Sequence, residues 1–189
     1  MGEYIENFKD ALPDPKRVKE IKKDLESKGV KYIYSHWIDF LGSPKTKPMP
    51  ISDFEDLCAG KGPQFAVHSV SFVPELGPAD NDQIPVPDLD SLLICPWDKT
   101  CAWVFSDLWW NGKPYDVCPR QTLKRQIKKN AEADLKFYVG MEPEFFVMKW
   151  EDGKPVKAID RDPIPLRRQA FGYDSEYSIE GMDFLKEII

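Results

Sequence analysis

Two glutamates in the apolar segment VGMEPEFFVM, residues 139–148, place the strongest constraint on how this chain can fold. The segment is rich in Val, Phe and Met, and this composition predicts a β-strand. Side chains in a strand alternate between its two faces, so Glu142 and Glu144 would project side by side. Two like charges on one face of an apolar segment repel each other and resist burial. In the folded protein, that face must therefore either be exposed to water or bind a cation.

The spacing of the two glutamates leaves both solutions open. In the first, Glu142 and Glu144 line the solvent face of an edge strand, and Met141, Phe145 and Val147 point inward. In the second, the two carboxylates bind a divalent metal ion. Mg²⁺ and Mn²⁺ prefer carboxylate oxygens, and a bound cation would remove the repulsion and hold phosphates in a transfer reaction.

Composition and charge narrow the class of protein. The hydrophobic fraction of 42% is enough for a globular core, and a net charge of -6 argues against nonspecific nucleic-acid binding. No apolar run approaches the ~18 residues of a membrane span, and the N-terminus lacks the apolar region of a signal peptide. We expect a cytoplasmic protein with no nucleic-acid or membrane partner. Because no two cysteines form a C-x-x-C pair, Cys58, Cys95, Cys101 and Cys118 are predicted to be reduced core residues.

The first half of the chain predicts a small mixed sheet with one or two helices. A helix is expected over DPKRVKEIKKDLESKG, capped by Asp14 and ended at Gly29. VKYIYSHWIDF and KTKPMPI predict a hairpin, and a short helix capped by Ser52 follows. SLLICPW and TCAWVFSDLWW predict two more strands, the second followed by a tight turn at Asn111–Gly112. The segment from Pro63 to about Asp90 contains many Pro and Gly residues and is predicted to be a long loop.

The second half has a different pattern. CPRQTLKRQIKKNAEADL predicts a helix that begins at Pro119. KFYVGMEPEFFVMKW, residues 136–150, predicts one long strand that turns back at EDGK, and EGMDFLKEII begins an amphipathic helix. Because this last helical pattern is still running at Ile189, we expect the sequence to be a fragment of a longer chain.

Four stretches, in this order along the chain, resemble segments of the glutamine synthetase family. IDFLGSPKTKPMPI is similar to the family's D-x-x-G-x-x-K-x-x-x-x-P, and DNDQIPVPDLDSLLICPW to its S-D-x-x-x-x-P-D-x-x-T-x-x-x-P-W. VFSDLWWNGKPYDVCPRQTLKR is similar to C-D-x-x-x-x-G-x-P-x-x-x-x-P-R-x-x-L, and VGMEPEFFV to G-x-E-x-E-F-F. The resemblance covers nearly the whole chain from about Val30.

The resemblance implies an α+β fold with two domains. Residues 1–115 would form an N-terminal helix and a β-grasp domain, and residues 116–189 the beginning of a glutamine-synthetase-type catalytic α/β domain. Such enzymes are large homo-oligomeric rings in which active sites form between subunits. They use ATP to convert glutamate into γ-glutamyl phosphate, and ammonia or an amine then displaces phosphate. By position, Glu142 and Glu144 would each bind a different one of the two main metal ions, Mg²⁺ or Mn²⁺. The remaining catalytic residues of the family would lie beyond Ile189.

The chain departs from the family pattern in the loop that binds ammonium. The family has F-D-G-S-S there, and its Asp binds ammonium and takes its proton. In the stretch GPQFAVHSVSF, Phe65 and Ser69 keep their places, but Ala66 stands at the position of the Asp. Alanine neither attracts a cation nor accepts a proton, so the acceptor is predicted to be an organic amine, as in the glutamate–amine ligase branch. His68 is either a replacement base or an exposed loop histidine. The alternatives are an ammonia-using glutamine synthetase and a non-catalytic structural relative.

Overall fold

A mixed sheet organises the first of two structural units, residues 1–137 and 138–189. The structure is a computed structural model that describes residues 4–67, 76–158, 175, 179 and 181–188. Within those ranges the strands of the first unit are β1 (Tyr32–Ile38), β2 (Pro44–Pro50), β3 (Phe65–Ala66), β4 (Asp82–Pro87), β5 (Leu93–Ile94), β6 (Cys101–Trp110) and β7 (Lys113–Pro114). The main strand order is β2-β1-β6-β4-β3, and β5 and β7 also pair with β6. The long strand β6 is therefore the centre of the sheet.

The helices of this unit confirm most of the local predictions. They are α1 (Phe8–Ala11), α2 (Pro15–Ser27), α3 (Phe54–Cys58) and α4 (Pro119–Glu132), with 3-10 turns at Ile51–Asp53 and Leu89–Ser91. Helix α2 begins as predicted, because the Asp14 carboxylate accepts hydrogen bonds from the backbone N–H groups of Lys16 and Arg17. The predicted Ser52 cap is wrong. Ser52 lies inside the 3-10 turn that precedes α3, and its hydroxyl donates to Asp53 instead.

One core cluster lies between one face of the sheet and helices α2 and α3, and a second contains Trp37, Phe65 and Leu108. Burial alternates along β1, so that Ile33 is fully buried while its neighbour Tyr32 is exposed. Val18 and Leu25 of α2 supply the helical side of the same cluster. The other members are Val30, Met49, Phe54, Leu57, Cys58, Leu89, Ala102 and Val104. This alternation is what a sheet with one covered face requires.

Strand β4 is a correction to the predicted long loop. It pairs with β6 through Ile84 to Pro87, although it contains two prolines. The N–H of Asp88 bonds to the carbonyl of Phe105, which fixes the phase of the ladder. The nitrogens of Pro85 and Pro87 therefore point away from β6, toward an edge that β3 covers only at Gln83 and Asp82. Because those nitrogens do not face β6, the prolines remove no hydrogen bond between β4 and β6 and are tolerated in the strand.

Two turns have backbone conformations that their sequences select. The turn after β6 holds Asn111 at φ 50° and Gly112 at φ 74°, which is the pattern of a tight hairpin and confirms that prediction. A similar turn at Asp152 and Gly153 joins two strands in the second unit, β8 (Met148–Glu151) and β9 (Lys154–Lys157). The second unit also contains helix α5 (Met182–Ile188), near the place where the sequence predicts a helix.

The observed architecture confirms a fold of mixed helix and sheet, and the division into residues 1–115 and 116–189 stays a prediction. All four cysteines are free and buried, as predicted from their spacing. Over the residues that the structure describes, no helix is long and apolar enough to cross a membrane.

Candidate functional site

The predicted acceptor region lies where β3 pairs with β4. Phe65 is buried and stacks on Trp37, with ring centroids 4.0 Å apart and ring planes 7° from parallel. Ala66 follows on the opposite face of the strand and is half-buried. In the antiparallel register Ala66 lies directly opposite Asp82, and Phe65 lies opposite Gln83. Phe65 is thus a core residue that fixes the strand, while Ala66 lies beside a carboxylate that the sequence analysis did not single out.

The other two residues predicted for this region lie outside the described part of the chain. His68 and Ser69 belong to the range 68–75, for which the structure gives no description. Their predicted roles therefore stay predictions.

Glu142 and Glu144 lie in the second unit, in a stretch without helix or strand that runs from 135 to 147. The prediction of one long strand over 136–150 is wrong in this structure, because only Met148–Glu151 pairs with another strand. A strand needs an adjacent strand for its backbone hydrogen bonds, and in the described part of the second unit β9 supplies one only for β8. Both glutamates are exposed to solvent.

The structure places Phe145 beside helix α5. Its ring meets that of Phe184 edge to face, with centroids 5.8 Å apart. The next residue in the chain, Phe146, is 87% exposed. One side of the carboxylate-bearing stretch is therefore held by an aromatic contact within the second unit, while Phe146 remains open.

The donor set at these glutamates fits part of a metal site. Two carboxylates are the oxygen ligands that Mg²⁺ and Mn²⁺ prefer, and exposure leaves them accessible. In the described ranges no group of three or more His, Cys, Asp or Glu side chains is arranged to hold a metal ion. Glu142 and Glu144 would supply two ligands to a metal ion, and a complete coordination shell would need further oxygens from other groups.

A cluster of four charged side chains joins helix α4 to the sheet, and sequence reasoning missed it. The Arg120 guanidinium donates to Asp88 at 2.6 Å and to Asp107 at 3.0 Å. Lys124 also donates to Asp107 and lies 3.7 Å from Asp88. The guanidinium carbon of Arg120 lies 5.8 Å from the ring centroid of Phe105. Asp88, Asp107 and Arg120 occupy the P-D, C-D and P-R positions of the quoted family patterns. The motifs therefore marked these residues but did not show that they lie together.

A cavity of about 180 Å³ adjoins this cluster. Its wall combines Asp88, Asp107 and Lys124 with apolar groups that include Trp109 and Val86. The positive side chains of α4 form ion pairs with the two aspartates, so the cluster fixes α4 against the sheet.

The first of the family-like segments builds a rigid turn around Asp39. The Asp39 carboxylate is buried and accepts hydrogen bonds from the N–H groups of Leu41, at 3.0 Å, and Ser43, at 2.8 Å. The Lys45 ammonium lies 3.4 Å away. Burial acts to raise the pKa of Asp39, but these hydrogen bonds and the lysine charge together hold it below its usual value. The spacing D-x-x-G-x-x-K is therefore explained by this turn, in which the aspartate binds both the backbone N–H groups of the turn and the lysine that follows it.

The environment of three of the buried cysteines lowers the reactivity of their thiols. Burial, with a smaller contribution from the Glu55 charge, raises the pKa of the Cys58 thiol to about 12. Burial also raises the pKa values of Cys95 and Cys118. Since the thiolate is the nucleophile, none of these three thiols is poised for nucleophilic chemistry near neutral pH.

Comparison with known proteins gives a family for this fold and site. Residues 116–189 match the family model described as glutamine synthetase, catalytic domain. A glutamine synthetase from Rhizobium meliloti (strain 1021) is 30% identical over 161 residues, which are 85% of this chain and 35% of that protein. A glutamate–methylamine ligase from Methyloversatilis universalis is 31% identical over 147 residues, 77% of this chain and 33% of that protein.

The fold is also similar to a solved structure. The structure described as a GmaS/ADP complex superposes with a TM-score of 0.65 at 24% identity and covers 88% of this chain and 37% of that one. The matched catalytic-domain segment contains the Glu142 and Glu144 pair. Over residues 116–189 the chain is similar to the catalytic domain of the glutamine synthetase family, and it spans about a third of the length of the curated relatives it matches.

Proposed function

We propose that the full-length protein containing this chain is an ATP-dependent ligase that joins glutamate to an amine. The observation that carries the proposal is the presence of Glu142 and Glu144 within the segment that matches the catalytic domain. Two carboxylates two residues apart would repel each other on one face of a strand, and a bound cation would remove that repulsion. The protein is proposed to be cytoplasmic and to assemble as a large homo-oligomeric ring. Residues 1–115 would contain the β-grasp domain, and residues 116–189 would begin the catalytic domain.

The proposed reaction has two steps. An oxygen of the glutamate γ-carboxylate attacks the γ-phosphorus of ATP, which gives γ-glutamyl phosphate and releases ADP. The amine nitrogen then attacks the acyl carbon, phosphate leaves, and the nitrogen loses a proton to give the amide. Glu142 and Glu144 would hold Mg²⁺ or Mn²⁺, which when bound neutralises and orients the phosphates of ATP.

The choice of acceptor follows from Ala66. A methyl group at this position leaves space that a carboxylate would fill, and it offers an apolar surface. Burial of an alkyl group contributes ~0.8 kcal/mol per CH₂, so a small organic amine gains affinity there that ammonia does not. Within the loop, Phe65 anchors the strand, and His68 and Ser69 are proposed to lie near the acceptor.

The test is phosphate release by the full-length protein with glutamate, ATP and Mg²⁺, with ammonium compared to methylamine. We expect a higher kcat/KM for methylamine after correction for the free-base fraction. A preference for ammonia would instead support an ordinary glutamine synthetase. Absence of phosphate release with either acceptor would support a non-catalytic relative.

The metal role has its own variant and control. Glu144→Ala should abolish phosphate release, because loss of one carboxylate removes a ligand at the phosphates. Glu151→Ala is the matched control, since Glu151 is an exposed glutamate in β8 of the same unit. Binding of Mn²⁺, followed by its electron paramagnetic resonance signal, should weaken in the first variant only. Unchanged turnover and unchanged Mn²⁺ binding in Glu144→Ala would remove the metal role.

A further inference from the structure

The amine acceptor poses an electrostatic problem that Ala66 leaves unsolved. A small alkylamine is a cation at neutral pH, and a site that collects it from water needs a negative group close by. Ala66 carries no charge, although it stands at the position of the family's ammonium-binding Asp. The carboxylate must therefore come from another element of the fold.

The register of β3 and β4 supplies that carboxylate. Ala66 and Asp82 are direct partners in the antiparallel pair. Directly opposed residues point to the same face of a sheet and have Cβ atoms roughly 4.5–5.5 Å apart. A cation held by the Asp82 carboxylate would therefore lie within contact distance of the Ala66 methyl group. The neighbouring pair, Phe65 and Gln83, points to the other face, where both side chains are buried in the core.

Asp82 is available for this task and its backbone is held in place. Its side chain is exposed, and within residues 4–67 and 76–158 no hydrogen bond or ion pair engages its carboxylate. The preceding residue is fixed on two sides, because the Asn81 amide donates to the Asn111 side chain at 2.7 Å. The carbonyl of Asn81 also accepts from the Trp110 indole at 2.8 Å. A free carboxylate on a fixed backbone is preorganised to bind a cation.

We propose that Asp82 is the anionic residue that recognises the acceptor amine, and that Ala66 beside it makes room for the alkyl group. This inference rests on the proposed function, because it assigns a residue to that same acceptor site. The ammonium end of the amine binds to Asp82, and the carbon substituent lies over the Ala66 methyl. The pair of positions then sets specificity, because Asp82 holds the charged nitrogen and the space beside Ala66 receives the substituent.

The test separates charge recognition from a structural role. In the full-length protein, Asp82→Asn should lower kcat/KM for methylamine about ten- to a hundredfold, the range for loss of a hydrogen bond to a charged group. Hydroxylamine is a nucleophile of similar size that is largely uncharged at neutral pH, so its kcat/KM should change little. The KM values for ATP and glutamate should also stay unchanged. Asp134→Asn is the control, because it removes the same charge from an exposed position after α4.

A second variant restores the charge on the other strand. Adding Ala66→Asp to Asp82→Asn returns a carboxylate but fills the space, so ammonium should be recovered better than methylamine. Equal losses for methylamine and hydroxylamine in Asp82→Asn, or no loss for either, would overturn the role of Asp82 while the ligase activity stood. Absence of amine-dependent turnover in the unaltered protein would overturn the proposed function and this inference with it.

Discussion

Replacement of Gln83 by methionine should stabilise the protein. Gln83 is fully buried in β4, and among the residues that the structure describes neither atom of its side-chain amide has a hydrogen-bond partner. A buried polar group left without a partner costs about 1–3 kcal/mol. Methionine has nearly the same shape and length as glutamine and no polar amide, so Gln83→Met should raise the free energy of unfolding by about 1–3 kcal/mol.

Gln121 offers a matched control for this substitution. It is also buried, with 2% exposure, but its amide nitrogen donates to the carbonyl of Leu108 at 3.4 Å. Gln121→Met removes the hydrogen bond from the amide to the Leu108 carbonyl, which keeps a second donor in the backbone N–H of Tyr115 at 2.9 Å. This variant should therefore lose about 0.5–1.5 kcal/mol. The two substitutions make the same chemical change in two buried positions and should act with opposite sign.

Equilibrium urea unfolding, followed by fluorescence of the tryptophans in the sheet, measures both effects. At constant slope, the midpoint of Gln83→Met should move up and that of Gln121→Met should move down. If Gln83→Met were as destabilising as Gln121→Met, the Gln83 amide would have a partner in solution, and the reasoning from its burial would be wrong.

Three further predictions concern charged groups. Arg120→Ala should lower the free energy of unfolding by about 1–3 kcal/mol, a value between those of surface and buried ion pairs. The reason is that the Arg120 side chain is only 25% exposed, and the side chains of its two aspartate partners are less exposed still. Arg17→Ala should cost under ~1 kcal/mol, because its side chain is 50% exposed and its partner Asp90 77%. Equal losses in urea unfolding would contradict this difference. The lowered pKa of Asp39 means that its contribution is present at neutral pH and is lost as the pH falls below the ordinary value of 3.8. The stability difference between the unaltered protein and Asp39→Asn should therefore shrink in acid, and a difference that is constant with pH would refute the assignment.

Local signals in the sequence predicted the elements whose causes are local. Helix α2 has its capping residue, Asp14, directly before it, and its apolar residues recur at helical spacing within the same segment. Both features are visible in the sequence. The Asn111–Gly112 turn is specified by two adjacent residues that adopt positive φ. These features need no knowledge of what the rest of the chain does, so the sequence alone was sufficient.

The elements that were missed have causes elsewhere in the chain. Pro85 and Pro87 argue for a loop until the register with β6 shows that their nitrogens face an edge. The pairing of Ala66 with Asp82 joins two residues on either side of a segment whose length gives no register. The charged cluster of Asp107 and Arg120 likewise forms only when α4 packs on β6. Sequence motifs marked several of these residues, but only the fold brought them together.

The stretch around Glu142 and Glu144 shows why a local preference in the sequence is not enough to form a strand or a metal site. Its composition favours a strand, yet Met141 and Phe146 are 85% and 87% exposed and no strand is paired to them among the described residues. A strand preference is realised only when a neighbouring strand takes its hydrogen bonds and other side chains cover its apolar face. The two carboxylates have the corresponding electrostatic need, because a cation is required to hold them side by side away from water. We therefore expect strand pairing, burial of Met141 and Phe146, and metal binding to be coupled in the full-length protein, since each lowers the cost of the others.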